Sequence, residues 1–270
     1  MTTSPVLFEA RDGVAVLTLN QPERMNPLTP ELQRGCLEAL QRVRDDTAIR
    51  ALLVTGRGRG FCVGADLAEL GSRADRPESG GIGAYVGRMM EETGNPIVAG
   101  LRSLPVPVVC AVNGAAAGGG VGLALAADMV IAARSAYFYL PFVPALGLVP
   151  DMGSSWTLPR AVGRSRALGL ALTGRKLPAQ KAAEWGLVWD CVEDDDLQAE
   201  ALRLASELAA LPAHAVVETR ALLLAAERNG FADQLALERA RQEALVDGEC
   251  FAEGVKAFAE RRKPRFGRRS

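Results

Sequence analysis

The sequence has 270 residues, and 49% of them are apolar, a share that excludes an intrinsically disordered chain. Its 31 Lys and Arg residues nearly balance 32 Asp and Glu residues. The net charge of -1 lacks the basic footprint of a general nucleic-acid-binding protein, so we expect no nucleic-acid partner. The single histidine, His214, excludes metal sites built from several histidines. A Ser-His or Cys-His nucleophilic site would depend on that one residue.

The cysteines and the N-terminus predict the compartment. Five cysteines are present, an odd number, and no two are close in sequence. This favours reduced, mostly buried thiols over a disulfide framework or a CxxC metal site. The N-terminus lacks the basic and apolar regions of a secretory signal, and no stretch reaches the roughly 20 apolar residues that span a bilayer. We therefore expect a cytoplasmic location, with no membrane partner and no metal.

The first part of the chain predicts a hairpin, a helix and a strand. Two β-rich runs, 6–10 and 14–19, flank Asp12-Gly13, a strong hairpin signal. Thr29 is an N-cap candidate with proline at the next position, and apolar residues follow at helical spacing to about Arg44. Residues 50–55 then form a compact apolar strand.

The rest of the chain continues the alternation of strands and helices. The predicted elements are a loop-rich excursion at 71–96 with a helix at 83–93, a strand at 106–112, a helix of small residues at 114–127, a strand at 129–133 and a mainly helical region from about Ser165. This order predicts an α/β fold with a helical C-terminal part.

Two glycine-rich segments each follow a predicted strand, at 60–67 and at 113–122. Glycine at a strand-to-helix junction leaves a backbone N–H free and lets a ligand approach closely. Two such N–H groups that converge on one oxygen would form an oxyanion hole. The alternatives are close helix packing and a dinucleotide site, although the glycines do not match GxGxxG. A P-loop is disfavoured because no Gly-Lys-Ser/Thr follows residues 56–60.

In combination, these segments resemble the crotonase superfamily, also called the enoyl-CoA hydratase/isomerase family. The resemblance runs nearly from end to end. The motifs that carry it are Asn20–Leu28, Gly60–Leu67, Ala111–Gly114 with the glycines behind it, Gly147–Asp151, Leu158–Gly163, Leu172–Gly174, Phe251–Phe258 and Arg262–Pro264.

The resemblance implies a fold, an assembly and a substrate class. The fold would be a crotonase-like spiral of ββα units over residues 1–200, with a C-terminal helical trimerisation region over residues 201–270. The chain would form a homotrimer, or a hexamer that is a dimer of trimers. The substrate would be an acyl-CoA thioester from fatty-acid or aromatic-acid catabolism. Coenzyme A would be part of this substrate, and no separate cofactor is implied.

The same resemblance assigns the binding residues. The backbone N–H groups of Ala65 and Gly119 would hold the thioester oxygen as an enolate forms. The positions that match the family's coenzyme A site are Arg24, Met25, Ala65, Asp66, Leu67 and Lys263. Lys263 would approach the coenzyme A phosphates, either within its own subunit or across a subunit boundary.

The two glutamates of family hydratases are missing. The first would stand three residues after the oxyanion glycine, where this chain has Gly122. The second matches Val143, or Phe142 if one extra residue lies between Ser135 and Gly147. Neither side chain ionises, so ordinary hydratase chemistry lacks both of its carboxylates.

Asp151 is the carboxylate that remains near the predicted site. It resembles the aspartate of phenylacetate-pathway enoyl-CoA isomerases, and a chlorobenzoyl-CoA dehalogenase has a nucleophilic aspartate near this point. One base suffices for a 1,3-proton shift, and apolar walls would raise the pKa of Asp151. We therefore predict an enoyl-CoA isomerase. The alternatives are a hydratase or thioester hydrolase that uses Asp151 and water, a non-catalytic acyl-CoA-binding protein, and an Asp151 that only caps a helix starting near Gly153.

Several apolar residues could line an acyl pocket or belong to the core. They are Tyr85, Met89, Met90, Phe138, Phe142 and Trp156.

Overall fold

The computed structural model describes residues 4–73 and 80–267 of the chain. The strands in these residues are β1 (Val6–Arg11), β2 (Val14–Leu19), β3 (Ala51–Gly56), β4 (Gly60–Cys62), β5 (Val108–Val112), β6 (Ala115–Ala117), β7 (Met129–Ala133), β8 (Tyr137–Tyr139), β9 (Leu177–Pro178) and β10 (Asp190–Val192). The α-helices there are α1 (Pro30–Asp45), α2 (Leu67–Arg73), α3 (Gly81–Met89), α4 (Asn95–Arg102), α5 (Gly119–Leu125), α6 (Ser154–Val162), α7 (Arg164–Thr173), α8 (Ala179–Glu184), α9 (Leu197–Ala209), α10 (Ala213–Ala226), α11 (Phe231–Val246) and α12 (Glu249–Ala259).

The predicted hairpin and first helix are confirmed. β1 and β2 pair antiparallel, and Asp12 and Gly13 between them both have positive φ, the geometry of a tight hairpin turn. The Thr29 hydroxyl accepts a hydrogen bond from the Leu32 N–H at 3.2 Å, so Thr29 caps α1. The buried face of this helix consists of Leu32, Gln33, Cys36, Ala39, Leu40 and Val43.

Two sheets organise the core. The larger has the strand order β1-β2-β3-β5-β7-β10, parallel from β2 onward, and the smaller has the order β4-β6-β8-β9. From β3 to β8, each pair of successive strands gives one strand to the larger sheet and the next to the smaller. Every residue of β3 and β5 is buried, as expected for parallel strands covered on both faces. The predicted α/β class is confirmed.

The prediction of one helix over 114–127 is wrong for the first part of that segment. Ala115–Ala117 form β6, which pairs in parallel with β4 and β8, and only Gly119–Leu125 are helical. Gly118 separates them with φ 53° and ψ -128°, a conformation that residues with a Cβ avoid. Alanine favours helices, but pairing on both edges of β6 overrides that preference here.

The excursion before β5 is more helical than predicted. α3 leads through a π-helical turn at Met90–Gly94 into α4, so the helix extends beyond the predicted range of 83–93. Residues 74–79 of the predicted loop lie outside the described residues.

The region after Ser165 is not helical throughout. β9 pairs with β8 in the smaller sheet, and β10 pairs with β7 at the edge of the larger sheet. The predicted boundary at residue 200 falls inside α9, which packs against β3 and β5.

The last three helices contribute little to the core. Among their described residues, only Ala213 and Ala257 are buried. Within the described ranges, no single helix is long and apolar enough to cross a membrane. The segments Asp194–Ala209 and Ala213–Ala226 reach that length and composition only together, and they are bent by 99°.

Candidate active site

Two loops meet beyond the carboxyl ends of β4 and β6, which are neighbours in the smaller sheet. Gly64 has φ 80°, and a Cβ placed on it would lie 2.9 Å from the carbonyl oxygen of Ala117 and 3.0 Å from the nitrogen of Gly119. Contacts this close leave no space for a side chain at Gly64. The glycine therefore lets the two loops touch, which brings Ala65 next to Gly119.

Ala65 and Gly119 line the same cleft. Within the described part of the chain, neither backbone N–H donates to a protein acceptor. The sequence predicted these two groups as the oxyanion hole, and the structure brings them together.

Asp151 lines this cleft as well. Met152 and Gly153 follow it with φ 50° and 77°, so the chain turns sharply before α6. The N–H and the hydroxyl of buried Ser154 both donate to the main-chain carbonyl of Asp151, at 2.9 and 2.6 Å. The Asp151 side chain makes no capping bond to α6, so its main chain, rather than its carboxylate, holds the turn.

The carboxylate of Asp151 lies against the glycine loop that carries Gly119. Its Oδ1 is buried, has no hydrogen-bond partner among the described residues, and lies 3.5 Å from where a Cβ on Gly119 would stand. Burial raises the pKa of Asp151 to about 6, against a smaller opposing effect of its own backbone N–H. Near neutral pH, both the carboxylate and the acid are therefore accessible.

The cleft is open at its mouth and has a volume of about 90 Å³. The residues that line it are Leu28, Pro30, Gln33, Ala65, Asp66, Glu69, Leu70, Tyr85, Val86, Met89, Met90, Gly94, Gly119, Asp151 and Met152. Tyr85, Met89 and Met90 were predicted as pocket residues and do line it.

Three other predicted pocket residues lie elsewhere. Phe138 and Phe142 are buried in the core. Trp156 stacks between the guanidinium groups of Arg102 and Arg160, at 4.5 and 4.0 Å from its ring centroid. Of the predicted pocket residues, those that line the cleft therefore all lie on α3 and its π-helical turn.

Asp66 and Arg24, two predicted coenzyme A residues, form an ion pair. Burial raises the pKa of Asp66, but hydrogen bonds from the Arg24 guanidinium and the Glu69 N–H outweigh it and bring the pKa below its ordinary value. Asp66 is therefore ionised at neutral pH and joins the Arg24 turn to the start of α2. Leu67 beside it is exposed, and Met25 packs against Gly60.

Lys263 does not line the cleft. The tail that carries it is anchored by Arg50, which precedes β3 and donates to the carbonyl oxygens of Ala209 and Phe266 at 2.6 and 3.2 Å. A role for Lys263 in binding coenzyme A, within its own subunit or across a subunit boundary, therefore stays a prediction. Among the described residues, no three His, Cys, Asp or Glu side chains are grouped so as to hold a metal ion.

Neither hydratase position offers a carboxylate to the cleft. A Cβ on Gly122 would overlap the carbonyl oxygen and the Cβ of Met152. Val143 lies in a π-helical turn, Phe142–Leu146, and does not line the cleft. A π-helical turn holds one residue more than an α-helical turn, which fits the extra residue inferred between Ser135 and Gly147.

Sequence reasoning missed eight of the fifteen cleft residues, and three of these make contacts that bear on the site. Leu28 and Gln33 border the oxyanion loop, and Glu69 accepts a hydrogen bond from the Tyr85 hydroxyl at 3.2 Å. A signal existed for Gln33, because it is a polar residue at the start of the otherwise apolar face of α1.

Comparisons with known proteins find similar sequences over nearly the whole chain. Residues 9–269 match the family model described as enoyl-CoA hydratase/isomerase. A 1,2-epoxyphenylacetyl-CoA isomerase of Escherichia coli is 44% identical over 97% of both chains. A Rhodobacter capsulatus protein named a probable enoyl-CoA hydratase is 40% identical over 98% of this chain and 99% of its own.

Solved structures show the same fold. The crystal structure of an enoyl-CoA hydratase from Polaromonas sp. JS666 has a TM-score of 0.88 and 34% identity, covering 97% of this chain and 99% of that one. The likeness spans the sheets, the glycine loops and the C-terminal helices together. The chain therefore belongs to the enoyl-CoA hydratase/isomerase family and has the crotonase fold.

Proposed function

We propose that this protein is an enoyl-CoA isomerase that shifts a double bond by 1,3-proton transfer. The observation that carries the proposal is the Asp151 carboxylate, which lies against Gly119 with a buried oxygen that has no partner in the described chain. The other two carboxylates of the cleft are engaged, Asp66 with Arg24 and Glu69 with Tyr85. Asp151 is thus the group best suited to exchange a proton with a ligand.

The steps balance with one base. With a 3-enoyl-CoA, the Asp151 carboxylate removes a proton from C2, and the electron pair moves into a dienolate. The N–H groups of Ala65 and Gly119 hold the negative thioester oxygen. The protonated Asp151 then returns the proton to C4, which gives the conjugated 2-enoyl-CoA. No electron leaves the substrate, and coenzyme A enters only as part of it, so no separate cofactor takes part.

A pKa of about 6 suits both half-reactions, because the group must be a base in the first and an acid in the second. Hydration would need a second group to activate water. Gly122 leaves no space for one, and Val143 lies outside the cleft. The hydratase alternative would require Asp151 alone to serve both roles.

A second candidate is the activity in the name of the Escherichia coli relative, isomerisation of 1,2-epoxyphenylacetyl-CoA. Identity of 44% over nearly the whole of both chains favours it. The substrate in that name is also a coenzyme A thioester, so an epoxide-bearing arylacetyl-CoA belongs among the substrates to be tested.

The test is incubation with a 3-enoyl-CoA, a 2-enoyl-CoA, a saturated acyl-CoA and the epoxide. Formation of 2-enoyl-CoA, followed by its ultraviolet absorbance, supports the isomerase. We expect Asp151→Asn to lower kcat by about 10²- to 10⁴-fold, the usual contribution of a positioned acid-base group. Asp195→Asn, an exposed carboxylate ahead of α9, is the matched control and should keep full activity.

Other products would overturn the proposal. Hydroxyacyl-CoA would indicate a hydratase and free coenzyme A a hydrolase. Binding of saturated acyl-CoA without turnover of any substrate would leave a binding protein. Undiminished activity of Asp151→Asn would remove Asp151 from the mechanism.

A further inference from the structure

The peptide group between Gly64 and Ala65 carries both a proposed oxyanion donor and an occupied acceptor. The carbonyl of Gly64 accepts a hydrogen bond from the N–H of Leu28 at 2.8 Å. The N–H of Ala65 belongs to the same planar unit and points in the opposite direction. The bond from Leu28 therefore fixes the direction of the Ala65 N–H, and it polarises the peptide so that this N–H is a stronger donor.

Leu28 is held on its other side by Gln33. The Nε2 of Gln33 donates to the carbonyl oxygen of Leu28 at 2.8 Å. The side chain of Leu28 also packs on the second donor, since its Cδ1 lies 3.0 Å from where a Cβ on Gly119 would stand. A displacement of Leu28 would thus disturb both N–H groups of the oxyanion hole.

Gln33 also contacts the excursion whose residues line part of the cleft. Its Oε1 lies 2.6 Å from the hydroxyl of Thr93 and 3.6 Å from where a Cβ on Gly94 would stand. Only 7% of Gln33 is exposed, and its own N–H donates to the Thr29 carbonyl at 2.9 Å as part of the start of α1. Each end of its amide therefore has a partner in a buried position, although the Thr93 hydroxyl also lies 2.8 Å from the carbonyl oxygen of Met89 and can donate to only one of the two.

We propose that Gln33 is a positioning residue for the oxyanion hole, acting through Leu28 on the Gly64–Ala65 peptide. This inference rests on the proposed function of that peptide. Packing alone does not require an amide at this position. The other buried residues of this helix face are apolar or cysteine, and an apolar side chain at position 33 would fill the same volume. An amide buried there loses its hydration, and its bonds to Leu28 and Thr93 offset that cost, so the amide ties the loop before α1 to the excursion.

The first test replaces Gln33 with methionine, which keeps the length of the side chain and removes both hydrogen bonds. We expect kcat to fall by about 10- to 100-fold, because the donor is misaligned rather than lost, while KM stays within about twofold. Gln41→Met is the matched control. Gln41 lies on the same helix, is exposed and bonds only to Asp45 among the described residues, so it should keep full activity.

A spectroscopic test measures how strongly the oxyanion hole polarises the carbonyl of a bound thioester, without turnover. A saturated acyl-CoA with an isotope-labelled thioester carbonyl is bound, and its carbonyl stretch is recorded by infrared difference spectroscopy. The wild-type protein should lower this frequency, because two N–H groups polarise the carbonyl. Gln33→Met should lose most of the shift, and Gln41→Met should keep it.

The outcomes separate the two proposals. A full frequency shift in folded Gln33→Met, or a full kcat, would overturn the role of Gln33 while leaving the oxyanion site intact. A wild-type protein that binds acyl-CoA without any shift would overturn the oxyanion site itself and this inference with it. A lost shift in a variant whose circular dichroism and melting temperature match those of Gln41→Met supports positioning.

Discussion

At the residue scale, Asp151 lies in a buried environment that disfavours the negative charge of its carboxylate. Its Oδ1 is buried without a partner in the described chain, although buried polar atoms in proteins are normally hydrogen-bonded. Burial raises its pKa from the ordinary 3.8 to about 6, so the folded protein binds this proton more tightly than the unfolded chain. The site therefore carries a stability cost at neutral pH, as strained functional positions often do.

This cost predicts that Asp151→Asn raises the free energy of unfolding while it lowers the activity. For a carboxyl with a raised pKa, the free energy of unfolding falls as pH rises from about 4 to about 6 and is level above that. The full cost is about 3 kcal/mol from the shift between 3.8 and about 6. Asparagine never ionises, so the variant should be more stable than the wild type, with a larger advantage at pH 8 than at pH 5.

Urea unfolding at both pH values and one protein concentration measures this effect. Asp195→Asn, at an exposed carboxylate, should show no such pH-dependent advantage. An Asp151→Asn protein that is less stable at pH 8 than at pH 5, relative to the wild type, would contradict the prediction.

At the element scale, the predictable parts of the fold are those with a local cause. The turn at Asp12-Gly13, the cap at Thr29 and the buried run in β3 each follow from residues close in sequence. β6 could not be predicted in this way, because three alanines become a strand only when β4 and β8 lie on both sides. β9 and β10 have two and three residues, too few to show a period.

The residues of the candidate site were predictable or not for the same reason. Ala65, Gly119 and Asp151 were found because motif positions mark them, and the parallel pairing of β4 with β6 then brings the first two together. The polarity of Gln33 on an apolar helix face was visible in the sequence, but the role proposed for it was not, because that role depends on a contact with Thr93, sixty residues away. Contacts at such separation leave no trace in local spacing.

Arg220 makes an extensive set of hydrogen bonds between α10 and the rest of the protein. Arg220 donates to both carboxylate oxygens of Asp128 at 2.7 and 2.6 Å, and to the carbonyl oxygens of Arg102, Leu104 and Val106. Asp128 in turn accepts from the N–H of Val108, at the start of β5. α10 buries only Ala213, so this cluster supplies much of its attachment.

We therefore expect Arg220→Lys to loosen α10. Lysine keeps the charge but cannot reproduce the planar set of five donors, and carbonyl groups are left without partners. The expected loss in free energy of unfolding is about 1 to 3 kcal/mol. Hydrogen exchange of α10 amides should rise more than that of β3 amides.

The matched control is Arg239→Lys, since Arg239 is exposed on α11 and pairs only with Glu243 among the described residues. It should change neither exchange nor stability measurably. Unchanged protection of α10 in Arg220→Lys would show that apolar contacts hold this helix instead.

At the scale of the whole molecule, apolar surface is distributed unevenly. The sheets and α1, α5 and α9 enclose the core, whereas the C-terminal helices expose large apolar residues. Those on α10 to α12 with the greatest exposure are Leu223, Phe231, Leu235, Phe251, Val255 and Phe258. Phe231 and Phe258 expose 80% and 87% of their surface. Exposed apolar residues of this size favour an interface, and a second copy of the chain is the occupant that the sequence resemblance predicts.

We accordingly expect self-association through these helices. Three copies of the 28.6 kDa chain would have a mass of about 86 kDa, and a hexamer twice that, as measured by light scattering after gel filtration. Replacing both Phe231 and Phe258 with aspartate should shift the protein toward monomer, because burying a charge at the centre of an apolar interface is costly. Replacing both with leucine preserves apolar area and should preserve the assembly. A wild-type protein that elutes as a monomer across a range of concentrations would contradict the prediction, since its exposed phenylalanines would then face solvent.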